Sequence, residues 1–352
     1  MTRFFRLVLA TLVLASGLSS VAWSGEAGDR VTVQVSAGKG LFSGDTDVIV
    51  QVTVTNPTLH AVKVARHQLP VNGFSAPYFT ITAADGSRVA YTGPLVKRTR
   101  LAASDFLTLA PGASLSFPVE LTAFYGIGNG LYTIQYTELP PVPGIAGLRA
   151  VAPITLRTEG RTLVAAVPET AAPKTAITTQ GISYTGNCSA TKKTTIASAI
   201  SGAKAYALAG KNYFTGKTNT ATARYTKWFG TATTSRISTG RTHFTNIYNT
   251  LLSKSLVMDC SCKESDTYAY VYPDSPYKVY LCGAFWSAPT TGTDSKAGTL
   301  IHEFSHFTVI AGTDDYVYGQ TDSLSLAASN PTQALDNADN HEYFAENNPA
   351  VQ

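Results

Sequence analysis

His302-Glu303-Phe304-Ser305-His306 decides how the second half of this 352-residue chain is read. The pentapeptide lies within residues 295–310, a stretch without proline that is predicted helical with Asp294 as its N-cap. On a helix, side chains four apart share a face, so His302 and His306 project together and can grip one metal ion. Glu303 lies beside them, placed to polarise a water. Zinc suits such a site because three protein ligands leave a fourth position open, where water becomes acidic enough to act near neutral pH. Two structural histidines would carry the same spacing, so the residues that follow matter. Gly312 is read as the helix stop. Thr313-Asp314-Asp315-Tyr316-Val317-Tyr318-Gly319 then forms a glycine-bounded acidic turn able to fold back toward the metal.

Around this centre the composition is that of a globular chain. It is 44% hydrophobic and 14% charged with 10% aromatics, enough to bury a core and too apolar for a disordered tail. The net charge of +4, from 27 basic and 23 acidic groups, is too small to suggest a nucleic-acid binder. With 28 Gly, 17 Pro and no sustained heptads, collagen and coiled coil are excluded. Residues 1–24 read as a signal peptide: Arg3 and Arg6 precede a short apolar run, and Ser20-Val21-Ala22 or Ala22-Trp23-Ser24 offers a cleavage site. No later apolar run reaches the roughly 18 residues of a membrane span, so a secreted or periplasmic monomer is expected. In an oxidising compartment Cys188, Cys260, Cys262 and Cys282 favour two disulfides. Cys260 and Cys262 would face the same side of a strand and cannot easily bridge each other, which leaves two pairings open.

The texture changes once along the chain. Short β-branched runs at residues 31–35, 48–54, 79–82, 115–119 and 132–136 alternate with turns such as Asn56-Pro57, Asp85-Gly86 and Pro111-Gly112. They predict an all-β, immunoglobulin-like sandwich over residues 25–157. Residues 158–180, rich in Ala, Thr and Pro, read as an exposed linker. Beyond it, over residues 181–352, an α+β and mainly helical domain is expected. Ile196, Ile200, Ala203 and Ala207 mark one amphipathic helix, and Ile237, Phe244, Ile247, Tyr248, Leu251 and Leu252 another. Strand-like patches follow at 256–262, 267–272 and 277–285.

No third histidine follows His306 at the metzincin spacing. Instead H-E-x-x-H is followed by G-T-x-D-x-x-Y-G at 312–319. This double motif resembles the aspzincin metalloendopeptidases, the deuterolysin family, and from Cys188 onward it is most similar to the peptidyl-Lys members. The resemblance implies a zincin-type domain in which His302, His306 and Asp315 bind one Zn2+, Glu303 is the general base and Tyr318 steadies the oxyanion. It also implies the pairs Cys188–Cys260 and Cys262–Cys282. The sandwich and linker lie outside the resemblance to the mature fungal enzymes and look like the propeptide of a bacterial relative, an intramolecular inhibitor or a folding aid.

The C-terminal acids point toward specificity. No Lys or Arg follows Lys296, whereas Glu303, Asp314, Asp315, Asp322, Asp336, Asp339, Glu342 and Glu346 all do. A cleft so electronegative attracts a cationic side chain. Asn330-Pro331 reads as a helix start, on which Asp339 and Glu342 would share a face and suit one ammonium. The arrangement is similar to the pocket by which peptidyl-Lys enzymes hold the lysine after the scissile bond, so the expected partners are lysine-containing peptides and proteins. Lys174 sits in the linker, and self-cleavage between Pro173 and Lys174 would release residues 174–352. Two rivals stand beside this reading. A gluzincin would use Glu342 or Glu346 as third ligand, and an exported adhesion protein would keep the metal as a structural brace. His243 and His341 have no assignable partner.

Overall fold

Valine alternating with polar residues builds the first strands, since side chains on a strand point to opposite faces in turn. The computed structural model describes residues 29–71, 74–99, 102–139, 144–162, 181–217 and 222–351. The predicted signal peptide and the Pro173–Lys174 bond lie outside the described residues. Strands β1 (Arg30–Ala37), β2 (Leu41–Ser43), β3 (Ile49–Thr55), β4 (Val62–Ala65), β5 (Phe79–Ala83), β6 (Leu95–Arg98), β7 (Phe106–Leu109), β8 (Ser114–Glu120), β9 (Gly130–Tyr136), β10 (Gly147–Ala150) and β11 (Ile154–Glu159) make up the N-terminal region. In β1, Val31, Val33 and Val35 are buried while the residues between them are not. Two four-stranded sheets, ordered β10-β1-β3-β8 and β2-β11-β9-β5, share one apolar core that includes Val52, Phe79, Ile134 and Leu156. Most pairs are antiparallel, but β1 runs parallel to β10 and β2 parallel to β11. All five predicted runs are strands. The 157 boundary falls inside β11, whose ladder with β9 carries the sheet on to Thr158.

The C-terminal part follows as β12 (Ile182–Thr185), α1 (Ala190–Phe214), α2 (Ala223–Phe229), α3 (Thr234–Ser253), β13 (Leu256–Asp259), β14 (Thr267–Val271), β15 (Lys278–Leu281), α4 (Gly283–Ser287), α5 (Lys296–His306), α6 (Gln320–Ser329), α7 (Pro331–Leu335) and α8 (Ala338–Glu346). The apolar positions read on α1 and α3 face one another across a tight interface; of them only Tyr248 and Leu252 stay outside the buried set. Glycine permits the approach: a Cβ on Gly210 would overlap the Phe244 ring, and one on Gly240 the Phe214 ring. The sheet is five-stranded, ordered β12-β13-β15-β14-β6, so its edge strand comes from the N-terminal region.

Three local expectations are corrected. Ser295, not Asp294, caps α5, its Oγ accepting the Gly298 N–H at 2.9 Å. Asp294 instead adopts φ 50° and accepts the Tyr343 hydroxyl at 2.6 Å. The helix ends at His306 rather than at Gly312, because the Phe307 carbonyl is taken by N–H groups of Ile310 and Ala311 in a tight turn that Gly312 closes with φ 63°. Asn330-Pro331 opens only the short α7; Asp339 and Glu342 belong to the next helix, α8, which begins after Asn337. His243 and His341 prove to be each other's partner, with Nδ1 and Nε2 2.9 Å apart. Burial lowers His243 to about 4 and His341 to about 3, so both rings are neutral.

The disulfides are Cys188–Cys260 and Cys262–Cys282, with Cα separations of 5.3 and 4.7 Å. Cys260 and Cys262 sit just past the end of β13 rather than within a strand. The first bridge spans 72 residues and ties the start of α1 to the end of β13; the second spans 20. Because a longer closed loop restricts the unfolded chain more, Cys188→Ala/Cys260→Ala is expected to cost about 4 kcal/mol and Cys262→Ala/Cys282→Ala about 3. Denaturant unfolding of the two double variants against the wild type checks the order.

Candidate metal centre and cleft

Helix α5 is buried along its whole length, which a chain tolerates only where each polar group on it has a purpose. Its entry is held from α8: Glu346 accepts the Ser295 N–H and hydroxyl at 2.9 and 2.8 Å. Gly298 faces α8 so closely that a Cβ would overlap the Glu346 carboxylate. From this packing His302 and His306 emerge on one face, as their spacing requires, with the Nε2 atoms 3.0 Å apart.

Each ring is oriented by a hydrogen bond at its other nitrogen. His302 Nδ1 donates to Asp339 Oδ1 at 2.8 Å, and His306 Nδ1 donates to the Thr313 carbonyl at 2.7 Å. A proton on Nδ1 leaves a lone pair on Nε2, so both lone pairs point into the same space. The acidic turn closes that space. Thr313 N–H returns to the Ser305 carbonyl at 3.1 Å, Asp314 pairs in parallel with Asn337, and the Asn337 side chain accepts the Tyr316 N–H at 2.8 Å. Stitched this way, the turn sets Asp315 Oδ1 3.3 Å from His302 Nε2 and Oδ2 3.4 Å from His306 Nε2. Among the described residues neither Asp315 oxygen takes a conventional hydrogen bond. Two imidazole nitrogens and a buried carboxylate converging on one point fit a zinc ion with an open fourth position.

Glu303 is fully buried, and neither of its oxygens has a hydrogen-bond partner among the described residues. Burial pushes its carboxyl up to about 8, in the range where it can both take and return a proton near neutral pH. His302 is lowered by burial to about 4. For His306 burial works in the same direction, but Asp315 and Glu303 outweigh it and carry the ring up to about 9. Burial opposes the charge on Asp315, but His306 and His302 keep it, so this carboxylate marks a locus of negative charge that a dication would relieve.

The acids expected from the sequence to seat a lysine meet one from the chain itself. Asp339 and Glu342 share one buried face of α8, and between them lies the Lys97 ammonium, 2.9 Å from Asp339 Oδ1 and 2.6 Å from Glu342 Oε2. Lys97 is 1% exposed and comes from β6. Burial opposes its charge, yet Asp339, Glu342 and Asp294 hold it well above the usual lysine range. The rings of Tyr268 and Tyr343 lie 5.4 and 5.9 Å from the ammonium. Burial would raise Asp339, but Lys97 and His302 keep it well below the usual carboxylate range, so it bears the charge. Beside it, burial and the neighbouring Glu346 and Asp339 lift Glu342 well above its ordinary value. Tyr318 donates its hydroxyl to the Val96 carbonyl at 2.9 Å, next to the metal-facing turn.

The structure therefore brings together all seven residues singled out in the sequence. Glu342 and Glu346 do not reach the Nε2 convergence as a third ligand would; one faces Lys97 and the other accepts the N–H and hydroxyl of Ser295. Sequence reading missed Lys97, the two tyrosine rings around it, and His67, whose ring meets Tyr318 edge-on at 5.4 Å. Leu95-Val96-Lys97-Arg98 carries a cationic pair in an apolar run, but nothing local marks where it docks.

With this geometry in view, the chain's similarities are consistent. A family model described as lysine-specific metallo-endopeptidase, of the aspzincin type, matches residues 214–346. An extracellular protease of Aeromonas hydrophila is 40% identical over 322 residues, 88% of this chain and 91% of its own. A peptidyl-Lys metalloendopeptidase of Armillaria mellea is 40% identical over 344 residues, 90% of this chain and 95% of its own. Among solved structures, a zinc peptidase from Grifola frondosa is 51% identical and covers 47% of this chain and 100% of its own, with a TM-score of 0.45. Identity at this level across nearly the whole length of two relatives makes the chain a member of the aspzincin family, a zinc-dependent metalloendopeptidase.

Proposed function

We propose that the protein is a secreted endopeptidase that hydrolyses the bond preceding lysine, made as a proenzyme whose N-terminal β-rich region is an immunoglobulin-like prodomain that occupies the cleft. The observation that carries this reading is Lys97: an ammonium held by Asp339 and Glu342 while the carbonyl just before it accepts from Tyr318. Secretion rests on the predicted signal peptide at residues 1–24; among the described residues no helix is long and apolar enough to cross a membrane. Final release of the catalytic part by a cut between Pro173 and Lys174 remains part of the proposal.

In this mechanism His302, His306 and Asp315 hold the zinc. When bound, the ion supplies a Lewis acid that polarises the substrate carbonyl and acidifies water. Glu303, with both oxygens free of hydrogen-bond partners among the described residues, takes a proton from the attacking water and delivers it to the departing amine. Tyr318 donates a hydrogen bond to the oxygen on which negative charge develops. Asp339 and Glu342 seat the lysine side chain of the residue after the scissile bond. The burial of α5 keeps bulk water from these groups.

Glu303→Gln is expected to keep one zinc per chain and lose about three to four orders of magnitude in turnover of a lysine peptide, whereas Asp315→Asn loses zinc itself. Metal content by atomic absorption beside the rate separates the two; near-normal turnover in Glu303→Gln rejects the assignment. Inhibition has its own test. Stripping one partner from a buried ion pair costs about 3–5 kcal/mol, so Lys97→Ala is expected to raise lysine-peptide hydrolysis by the uncut chain by about two to three and a half orders of magnitude. Lys63→Ala, an exposed lysine on β4, leaves it unchanged. Equal activity of the Lys97→Ala and wild-type uncut chains would remove the inhibitory role.

A further inference from the structure

Strand β6 is bound the way an extended substrate would be. It runs antiparallel to β14, with Leu95 opposite Val271, Val96 opposite Tyr270, Lys97 opposite Ala269 and Arg98 opposite Thr267. The Thr99 N–H extends the contact to the Asp266 carbonyl at 3.0 Å. Without β6, β14 is the open edge of the sheet. A peptide added to such an edge is held by main-chain hydrogen bonds in any sequence, and side-chain pockets then choose among sequences. Here the pocket takes Lys97, and the carbonyl on Tyr318 is that of Val96, the acyl half of the peptide bond that precedes this lysine. In the described ladders β6 pairs with β14 alone and with no strand of the sandwich.

We infer that Val96–Lys97 is itself a scissile bond of this enzyme, cut within the same molecule. The inference rests on the lysine reading above. In the step, a water oxygen bonds to the Val96 carbonyl carbon, the carbon–nitrogen bond to Lys97 breaks, and Glu303 carries a proton from the water to the leaving nitrogen. The second water proton follows to the same nitrogen, so the products are a carboxylate at Val96 and an ammonium at Lys97, and no other reactant is consumed. Tethering makes this bond a substrate at a high effective concentration. Lys39 and Lys63 are exposed on the sandwich and have no such place in the cleft. The prodomain is then an inhibitor for as long as its own strand is uncut, and severing β6 separates the halves of the strand that bind the cleft.

The test uses the full chain, started by adding zinc to metal-stripped protein, with a synthetic lysine-containing peptide in the same tube and fragments followed by mass spectrometry. A fragment beginning at Lys97 is expected before any beginning at Lys39 or Lys63, with a rate constant independent of chain concentration. It is expected to vanish in Lys97→Ala and Glu303→Gln and to persist in Lys63→Ala. If the added peptide is cut before lysine while Val96–Lys97 outlasts the bonds before Lys39 and Lys63, or if its cutting accelerates with concentration, the inference falls and the lysine reading stands. If the added peptide is not cut before lysine, the lysine reading fails and this inference with it.

Discussion

One buried carboxylate joins the parts of this molecule that do chemistry. Asp339 Oδ1 orients His302 at 2.8 Å and receives the Lys97 ammonium at 2.9 Å, while Oδ2 accepts the Gly319 N–H at 2.6 Å at the end of the acidic turn. The same group therefore fixes a proposed zinc ligand, lines the proposed lysine pocket and anchors the loop that carries Asp315. A buried ion is tolerated only when it is paired and its remaining lone pairs are satisfied, and Asp339 meets both conditions. The proposed lysine pocket and the pose of a metal-facing imidazole are thus coupled through one oxygen, Asp339 Oδ1.

The surrounding acids explain why a strand from the N-terminal region is needed there at all. Glu303, Asp315, Asp339, Glu342 and Glu346 are all buried or nearly so, and the segment that carries them holds no lysine or arginine after Lys296. Like charges in a low-dielectric interior drive one another toward protonation, which is why burial and crowding lift Glu303 to about 8 and Glu346 to about 7. A cation from outside the segment relieves the crowding, and in this chain Lys97 supplies it. The acids accordingly form a site that accepts an ammonium, as Lys97 shows.

Much of the fold was legible locally. Alternation of apolar and polar residues found the long strands of the sandwich, and three- and four-residue steps found α1 and α3, because both signals come from how neighbouring side chains project. The short strands β2, β4, β6, β7, β10 and β12 escaped, since three or four residues carry too little period, and the six-residue β11 at the start of the supposed linker escaped with them. Helix ends were displaced for a similar reason: Ser295 and Asp294 are both good caps by composition, and only the contact with Glu346 decides between them.

For the site, the sequence by itself determined the donor chemistry. Two histidines four apart, a neighbouring glutamate, and an acidic turn after a glycine specify which groups can act, because helical spacing is a local property. Tertiary structure decided the rest. It chose Asp315 over Glu342 and Glu346 to face the Nε2 atoms, set the imidazole tautomers through Asp339 and the Thr313 carbonyl, and brought Lys97 onto Asp339 across 242 residues of chain. No local pattern encodes a meeting at that distance. It follows from the free energy of closing a sheet edge and of neutralising buried charge, and both exist only once the chain has folded.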